Sequence, residues 1–422
     1  MPRQLLDQGR YDAVLKALTP QPPSPQRDLW LAEAHLGRRE WRIALALLDP
    51  LPASPDAITL TARAWLQGSQ PQKAIRLLAS QPSNPGRDDL LAAAYRRDAR
   101  YEDVLALATT AAPSIDLAYE TAMACVQLSR AEEALKAFET LFTLRADHAA
   151  GWYACHAPAL ERDGPAAALA CLQKATARRG ANGKYWAMQA ALLDVTGQSE
   201  AAQALFMDKV ERFPARRPLW DGWQALKPAL SPQWRLFGLS APLLRHALAQ
   251  ASLAGSVLEF GVRRGTSLRV LASETQDEVH GFDSFEGLPE SWGREAGGLL
   301  TTECQLPAMP AHVQLHAGWF EATLPPFLAQ HPDLVVRLVN IDSDIYSSAA
   351  FVLSQLAPHL REGSILIFDE FIGNRTWRED EFRAFHEFIA ASGSGSGTGW
   401  AWEIIAVGLY TKQVAIRLRA CP

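Results

Sequence analysis

Leu258-Glu259-Phe260-Gly261-Val262-Arg263-Arg264-Gly265-Thr266-Ser267 reads as a short apolar strand that runs into a glycine-bearing turn and then opens a helix. Two acidic strand ends follow it in the chain, Asn340-Ile341-Asp342-Ser343-Asp344 and Phe368-Asp369-Glu370. In an open parallel α/β sheet such loops gather at the carboxyl edge of the strands, where ligands bind. A glycine turn suited to a nucleotide-like ligand, with four carboxylates beside it, points to group transfer assisted by a divalent metal. The glycine spacing is not G-x-G-x-x-G, which argues against a nicotinamide reader.

Working outward, apolar strand patterns alternate with helical ones from Leu236 onward. An amphipathic helix is expected over 241–252. Strands are expected at 256–260, 279–282, 313–316, 335–341 and 364–368, then a final pair at 402–407 and 414–418. This pattern predicts a doubly wound, Rossmann-like α/β domain over 236–422 with an antiparallel edge strand. Ser392-Gly393-Ser394-Gly395-Ser396-Gly397 reads as a flexible loop before the last pair. The stretch 214–235, rich in proline and tryptophan but poor in glycine and serine, reads as a packed connector.

The first half differs in kind. Val14, Ala44, Ala74, Val104 and Ala134 recur every 30 residues, as do Tyr11, Trp41, Pro71 and Tyr101, and Ala34, Ala64, Ala94 and Ala124. Ala134, Ala168 and Ala202 continue at 34. Two helices per repeat fit these lengths, with small residues where paired helices approach. Residues 1–213 therefore resemble a tetratricopeptide-type all-α helical-repeat solenoid. Such arrays bind partners or self-associate, but no residue here identifies one. Trp30, Trp65, Trp152 and Trp186 sit in apolar helical patterns and read as core rather than as a ligand platform.

In the second half five motifs in order resemble the macrocin O-methyltransferase family, the TylF-like sugar methyltransferases. They are Glu259-Phe260-Gly261-Val262-x-x-Gly265-x-Ser267-Leu268, Gly281-Phe282-Asp283-Ser284-Phe285-Glu286-Gly287-Leu288-Pro289-Glu290, Gly318-Trp319-Phe320 with Thr323-Leu324-Pro325, Ile341-Asp342-Ser343-Asp344-Ile345-Tyr346-Ser347-Ser348, and Asp369-Glu370. The resemblance covers 240–420 and leaves the helical half outside. It implies S-adenosyl-L-methionine as methyl donor and a sugar hydroxyl as acceptor, on a glycan, glycolipid or glycosylated natural product.

By that resemblance the cofactor is held by Glu259, Gly261, Gly265, Ser267, Asp283, Ser284, Trp319 and Phe320, with Asp283 on the ribose hydroxyls. Asp342, Asp369 and Glu370 hold Mg2+ or another divalent cation, for which carboxylate oxygens are suitable hard ligands. Asp344 is the base that takes the acceptor's proton. Each residue also has a plain structural reading: a tight turn for the glycines, turn and helix capping for Asp283 and Asp344, lid packing for Trp319 and Phe320. Departures from the family pattern are Asn340, Ser343 and Phe371, where histidine, cysteine and tyrosine are common. They leave the acceptor's identity open. His280, His316 and His386 read as core or surface residues.

Composition bounds the rest. With 422 residues and 48% apolar residues, two or three domains with full cores are expected. A net charge of −5 without a long basic run disfavours nucleic acid as a partner. No 18-residue uncharged apolar run predicts a transmembrane segment, and nothing at Met1 resembles a signal peptide. Cys125, Cys155, Cys171, Cys304 and Cys421 lack metal or disulfide spacing. They read as reduced thiols of a cytoplasmic protein. The competing reading is a solenoid adaptor whose methyltransferase-like domain has lost activity; retention of the glycines and of Asp283, Asp342, Asp344 and Asp369 opposes it.

Overall fold

The computed structural model describes residues 2–290, 297–392 and 399–420. The glycine-serine stretch expected as a loop lies outside them apart from Ser392, as does Cys421. The chain divides into two compact units, 1–124 and 125–422. The division falls inside the helical region, well before the connector.

Unit 1 is made of short helices whose punctuation repeats with the sequence. Helices begin at Tyr11, Trp41, Pro71 and Tyr101, and their partners at Pro25, Pro55 and Pro85. Ser24, Ser54 and Asn84 cap those partners, each side chain accepting from the amide three residues on. Each is followed by proline at the first helical position, where the missing amide costs nothing. Val14, Ala44, Ala74 and Val104 are fully buried, as are Ala34, Ala64 and Ala94. The 30-residue series marks the lines along which helices meet.

Unit 2 holds an eight-stranded sheet in the order β1-β7-β8-β6-β5-β2-β3-β4. The strands are β1 (Leu230–Leu236), β2 (Ser256–Phe260), β3 (Val279–Asp283), β4 (Val313–Ala317), β5 (Val336–Ile341), β6 (Ile365–Phe368), β7 (Trp400–Val407) and β8 (Val414–Ala420). Strands β4, β3, β2, β5 and β6 run parallel, and β8 is antiparallel to both β6 and β7. Side chains alternate between two cores as the period of two requires. Leu258, Phe260, Val339, Ile341, Leu366 and Phe368 point to one core. Val257, Leu338, Ile365 and Ile367 point to the other. Helices Phe320–Gln330, Tyr346–Leu356 and Glu381–Ser392 cover the first face, and Ser240–Gln250 and Thr266–Ser273 the second.

Two expectations change. The antiparallel strand β8 is interior, because it inserts between β6 and β7, and β1 adds a further strand in parallel with β7 and becomes the edge. β1 lies in the stretch read as a connector. Pro232 within it cannot donate to a ladder, which disfavours a strand reading but is tolerated at an edge.

The connector also ties helices to the sheet. Leu219, Trp220, Trp223 and Leu226 of helix Pro218–Leu226 share one core with Tyr153, Leu172 and Met188 and with Phe371, Ile372 and Leu409 beyond the strands. Gly222 lies so close to Ile372 that a Cβ there would sit 2.7 Å from its side chain. The Gly238 amide donates to Glu161 (3.0 Å) and the Ala241 amide to Ser129 (3.0 Å).

Candidate active site

The strand order reverses at β2, which has β3 on one side and β5 on the other, so a crevice is expected between the exits of β2 and β5. Gly261 stands at that exit with φ +99°, and a Cβ there would overlap the Asp342 carbonyl oxygen. The Asp342 amide in turn donates to Phe260 O (2.8 Å). Glycine at 261 is therefore demanded first by the contact of two backbones. Gly265 adopts the left-handed conformation, φ +73°, just before helix Thr266–Ser273.

Glu259, at the floor, is fully buried. Its two oxygens accept from Ser267 Oγ (2.8 Å) and Asn340 Nδ2 (3.2 Å). Burial pushes its carboxyl up to about 8 against the pull of those bonds. Asn340, found where a histidine is common in the resembled family, thus supports Glu259.

Asp283 ends β3. Its Oδ2 accepts from the Arg263 amide (2.6 Å) and its Oδ1 from the Phe285 amide (2.6 Å). The turn-capping reading of Asp283 is thus realised, and each oxygen keeps lone-pair capacity for a further donor. Ser284 Oγ accepts from the Glu286 amide (3.1 Å) and donates to Gly287 O (3.3 Å). Trp319 occupies the N-cap position of helix Phe320–Gln330. The Phe320 ring meets Phe260 edge-on at 5.2 Å, so it packs on the sheet as well as standing near the crevice.

Beyond β5 the chain makes a tight three-residue turn. Ser343 O accepts from the Ile345 amide (2.7 Å), and Asp344 between them has φ +62°. A non-glycine residue in this conformation costs about 1–3 kcal/mol and persists only where its surroundings hold it. Asp344 is 8% exposed. Burial, then Glu370 and Asp369, push its carboxyl up to about 7, against the opposing charges of Lys412 and Arg263.

Asp342 and Asp369 remain partly exposed, and both carboxyls are raised by desolvation and by neighbouring acids, Asp369 to about 7. Gln413 Nε2 donates to Asp369 Oδ1 (2.5 Å). Glu370 is engaged by Lys412 Nζ (2.7 Å) and by Asn374 Nδ2. Among the described residues no three His, Cys, Asp or Glu side chains form a group that could hold a metal ion. What fits a hard dication is the charge: carboxyls at adjacent strand ends raise one another's affinity for protons, and a cation would relieve that repulsion.

One acid was missed in the sequence. Glu381, the first residue of helix Glu381–Ser392, is fully buried beside this group. Its oxygens accept from the amides of Ser343 (3.3 Å) and Glu370 (3.1 Å). A signal existed: Glu381 lies on the helix's buried stripe with Ala384 and Phe385, where an acid is out of place.

Residues 258–371 match a family model described as a methyltransferase domain. The chain carries a methyltransferase domain, and it is an enzyme that uses S-adenosylmethionine. The methyltransferase resemblance read from the sequence motifs is borne out. A curated relative is the 8-demethyl-8-(2,3-dimethoxy-alpha-L-rhamnosyl)-tetracenomycin-C 4'-O-methyltransferase of Streptomyces olivaceus. It is 24% identical over 223 residues, covering 41% of this chain and 82% of the relative. Among solved structures, the calicheamicin methyltransferase CalS11 aligns at 19% identity over 55% of this chain and 91% of its own, with a TM-score of 0.32. The apo form of CalS11, a TDP-rhamnose 3'-O-methyltransferase, aligns at 21% identity over 42% of this chain and 78% of its own, with a TM-score of 0.30.

Proposed function

We propose that this methyltransferase transfers the methyl group of S-adenosylmethionine to a sugar hydroxyl, and that Asp344 is the base. The supporting observation is the Asp344 turn: a nearly buried carboxylate, fixed in a strained conformation at the exit of β5 and raised to about 7. A general base is most effective when its proton affinity lies near the working pH. The relative that methylates a rhamnosyl group supports a sugar, and in particular a rhamnoside, as acceptor.

The transfer is an in-line displacement. The acceptor oxygen forms a bond to the methyl carbon as the carbon–sulfur bond breaks, the bonding pair passes to sulfur, and the hydroxyl proton passes to Asp344. Glu259, Gly261, Gly265, Ser267, Asp283, Ser284, Trp319 and Phe320 make up the proposed cofactor site. Gly261 lets the exits of β2 and β5 close together beneath the amino-acid end, Gly265 turns the chain into the following helix, and Asp283 accepts from the ribose. Asp342, Asp369 and Glu370 would hold magnesium or a similar dication, which when bound lowers the proton affinity of a ligated hydroxyl. The 30-residue helical hairpins fit a tetratricopeptide-type array, suited to a carrier-bound acceptor or a protein partner.

The test is incubation of the full chain with methyl-labelled S-adenosylmethionine and a panel of rhamnosides that includes TDP-rhamnose, read by mass spectrometry of the sugar. Label on a sugar oxygen is the expected result. Transfer to nitrogen or carbon acceptors, with none to any sugar, overturns the proposal. Repeating a productive reaction in excess chelator decides the metal: full activity there rules it out.

A further inference from the structure

We propose that Glu381 is a positioning residue that ties the two acid-bearing loops together and fixes where the Asp344 carboxylate points. This rests on the assignment of Asp344 as base.

A fully buried carboxyl is costly and is ordinarily matched by a basic side chain. Among the described residues no ion pair is recorded for Glu381, and its neighbours include Asp344, Asp369 and Glu370, which raise the cost further. What it does hold is two backbone amides: Ser343 N–H after β5 (3.3 Å) and Glu370 N–H after β6 (3.1 Å).

The identity of these amides matters. Ser343 begins the strained turn, since its carbonyl accepts from Ile345 across Asp344. Holding the Ser343 amide fixes the plane from which Asp344 departs. The second bond places that turn against the loop of Asp369 and Glu370. A glutamine here accepts with one oxygen only and turns an N–H toward the other amide, so it ties one loop and loosens the other. The carboxyl, with an acceptor oxygen for each amide, is thus the group of this length that takes both, which accounts for an acid in so acidic a place.

The experiment compares the full chain with Glu381→Gln, and with Asp344→Asn as a reference. Hydrogen exchange of the segments 340–346 and 368–374 reads the tie without any acceptor. We expect exchange in these segments to rise about ten-fold in Glu381→Gln, as for loss of one backbone bond. S-adenosylmethionine affinity by calorimetry and the thermal midpoint should hold, since glutamine keeps the length of the side chain and its bond to one of the two amides. With a rhamnoside that the wild type methylates, kcat should fall about 10–100-fold at unchanged KM, the range seen when a residue that orients a reactive group is altered. Glu381→Asp, one methylene short, serves if the glutamine variant does not fold.

Unchanged exchange in both segments overturns the proposal. So does a parallel loss of midpoint and cofactor affinity, which marks a purely structural acid. A wild-type rate in Glu381→Gln while Asp344→Asn is slow also overturns it. A wild-type rate in Asp344→Asn instead removes the base assignment, and the exchange data still decide whether the tie exists.

Discussion

At the scale of single residues, Asp344 combines the two properties that a proton acceptor needs, a fixed direction and a matched proton affinity. Asp344→Asn keeps shape while removing the acceptor, so single-turnover transfer should fall about 10²–10⁴-fold. S-adenosylmethionine binding by calorimetry should be unaltered. Because the carboxyl is raised to about 7, it is protonated below that pH and competent above it. The wild-type rate should therefore climb with pH, through about 7 where no dication is bound and at lower pH where one offsets the push of Glu370 and Asp369, and a rate that nowhere rises with pH counts against the base. Gly261→Ala makes a different prediction. Its methyl would overlap the Asp342 carbonyl, so β2 and β5 must part at their exits, and cofactor affinity and thermal stability should drop together. Asp342, Asp344, Asp369 and Glu370 were legible in the sequence because an acid after a short apolar strand stands out. Glu381 gave only a weak signal, its place on the buried stripe of its helix, because one acid in a first helical turn looks solvated until the loops it meets are known.

At the scale of elements, the short apolar runs of β2, β5 and β6, each ending in a polar loop, are clear enough in the sequence to give the strands within a residue or two, and the 30-residue period gives the helices of unit 1. β1 escaped notice because Pro232 and the neighbouring tryptophans mask a strand that pairs along one side only. β3 and β4 carry a feature that single positions do not show. His280 and His316 face each other (Nδ1 to Nε2, 3.3 Å), with His331 and Phe327 of the adjoining helical segment packed around them. Burial, then His316, lowers His280 to about 4, with Glu278 opposing; burial and His331 lower His316. A depressed folded value means that the unfolded chain takes up protons first. The stability held above the ordinary value near 6.5 is thus lost as pH falls toward 4, by at most about 1.4 kcal/mol per pH unit for each histidine. Glu259, raised to about 8, Asp344 and Asp369, raised to about 7, and the raised Asp342 and Glu381 act with the opposite sign over the same range, so the expectation is differential. Urea unfolding at pH 7.5, 6 and 5 should show His280→Leu gaining stability relative to the wild type as pH falls. Equal slopes for wild type and variant exclude the histidine pair as the cause.

At the scale of the whole molecule, sequence patterning separates a helical half from an α/β half at the prolines near residue 214, but the cores do not part there. Proline marks where backbone geometry changes, whereas a folding unit ends where buried apolar contacts end. Helix Pro218–Leu226 buries Leu219, Trp220, Trp223 and Leu226 in the core that includes Phe371 and Ile372, and Trp223 Nε1 also donates to Asp194 (2.7 Å) on the helical side. Each such side chain is worth about 1.5–3 kcal/mol when buried. Stripping several at once approaches the whole stability of an ordinary domain, about 5–15 kcal/mol. A chain starting at residue 236 would also lack β1, leaving β7 as an open edge prone to pairing with other chains. The fragment 236–422 should therefore be aggregated or unfolded and fail to bind S-adenosylmethionine, although every proposed cofactor residue lies within it. The fragment 115–422 keeps helix Ile115–Gln127 whole and retains the entire second unit, so it should unfold cooperatively and bind the cofactor about as tightly as the full chain. Circular dichroism melts, size-exclusion chromatography and calorimetric titration on the two fragments check this. A soluble 236–422 that binds with full affinity would show that the helices ahead of the sheet contribute nothing to its folding, and would return the boundary to the prolines.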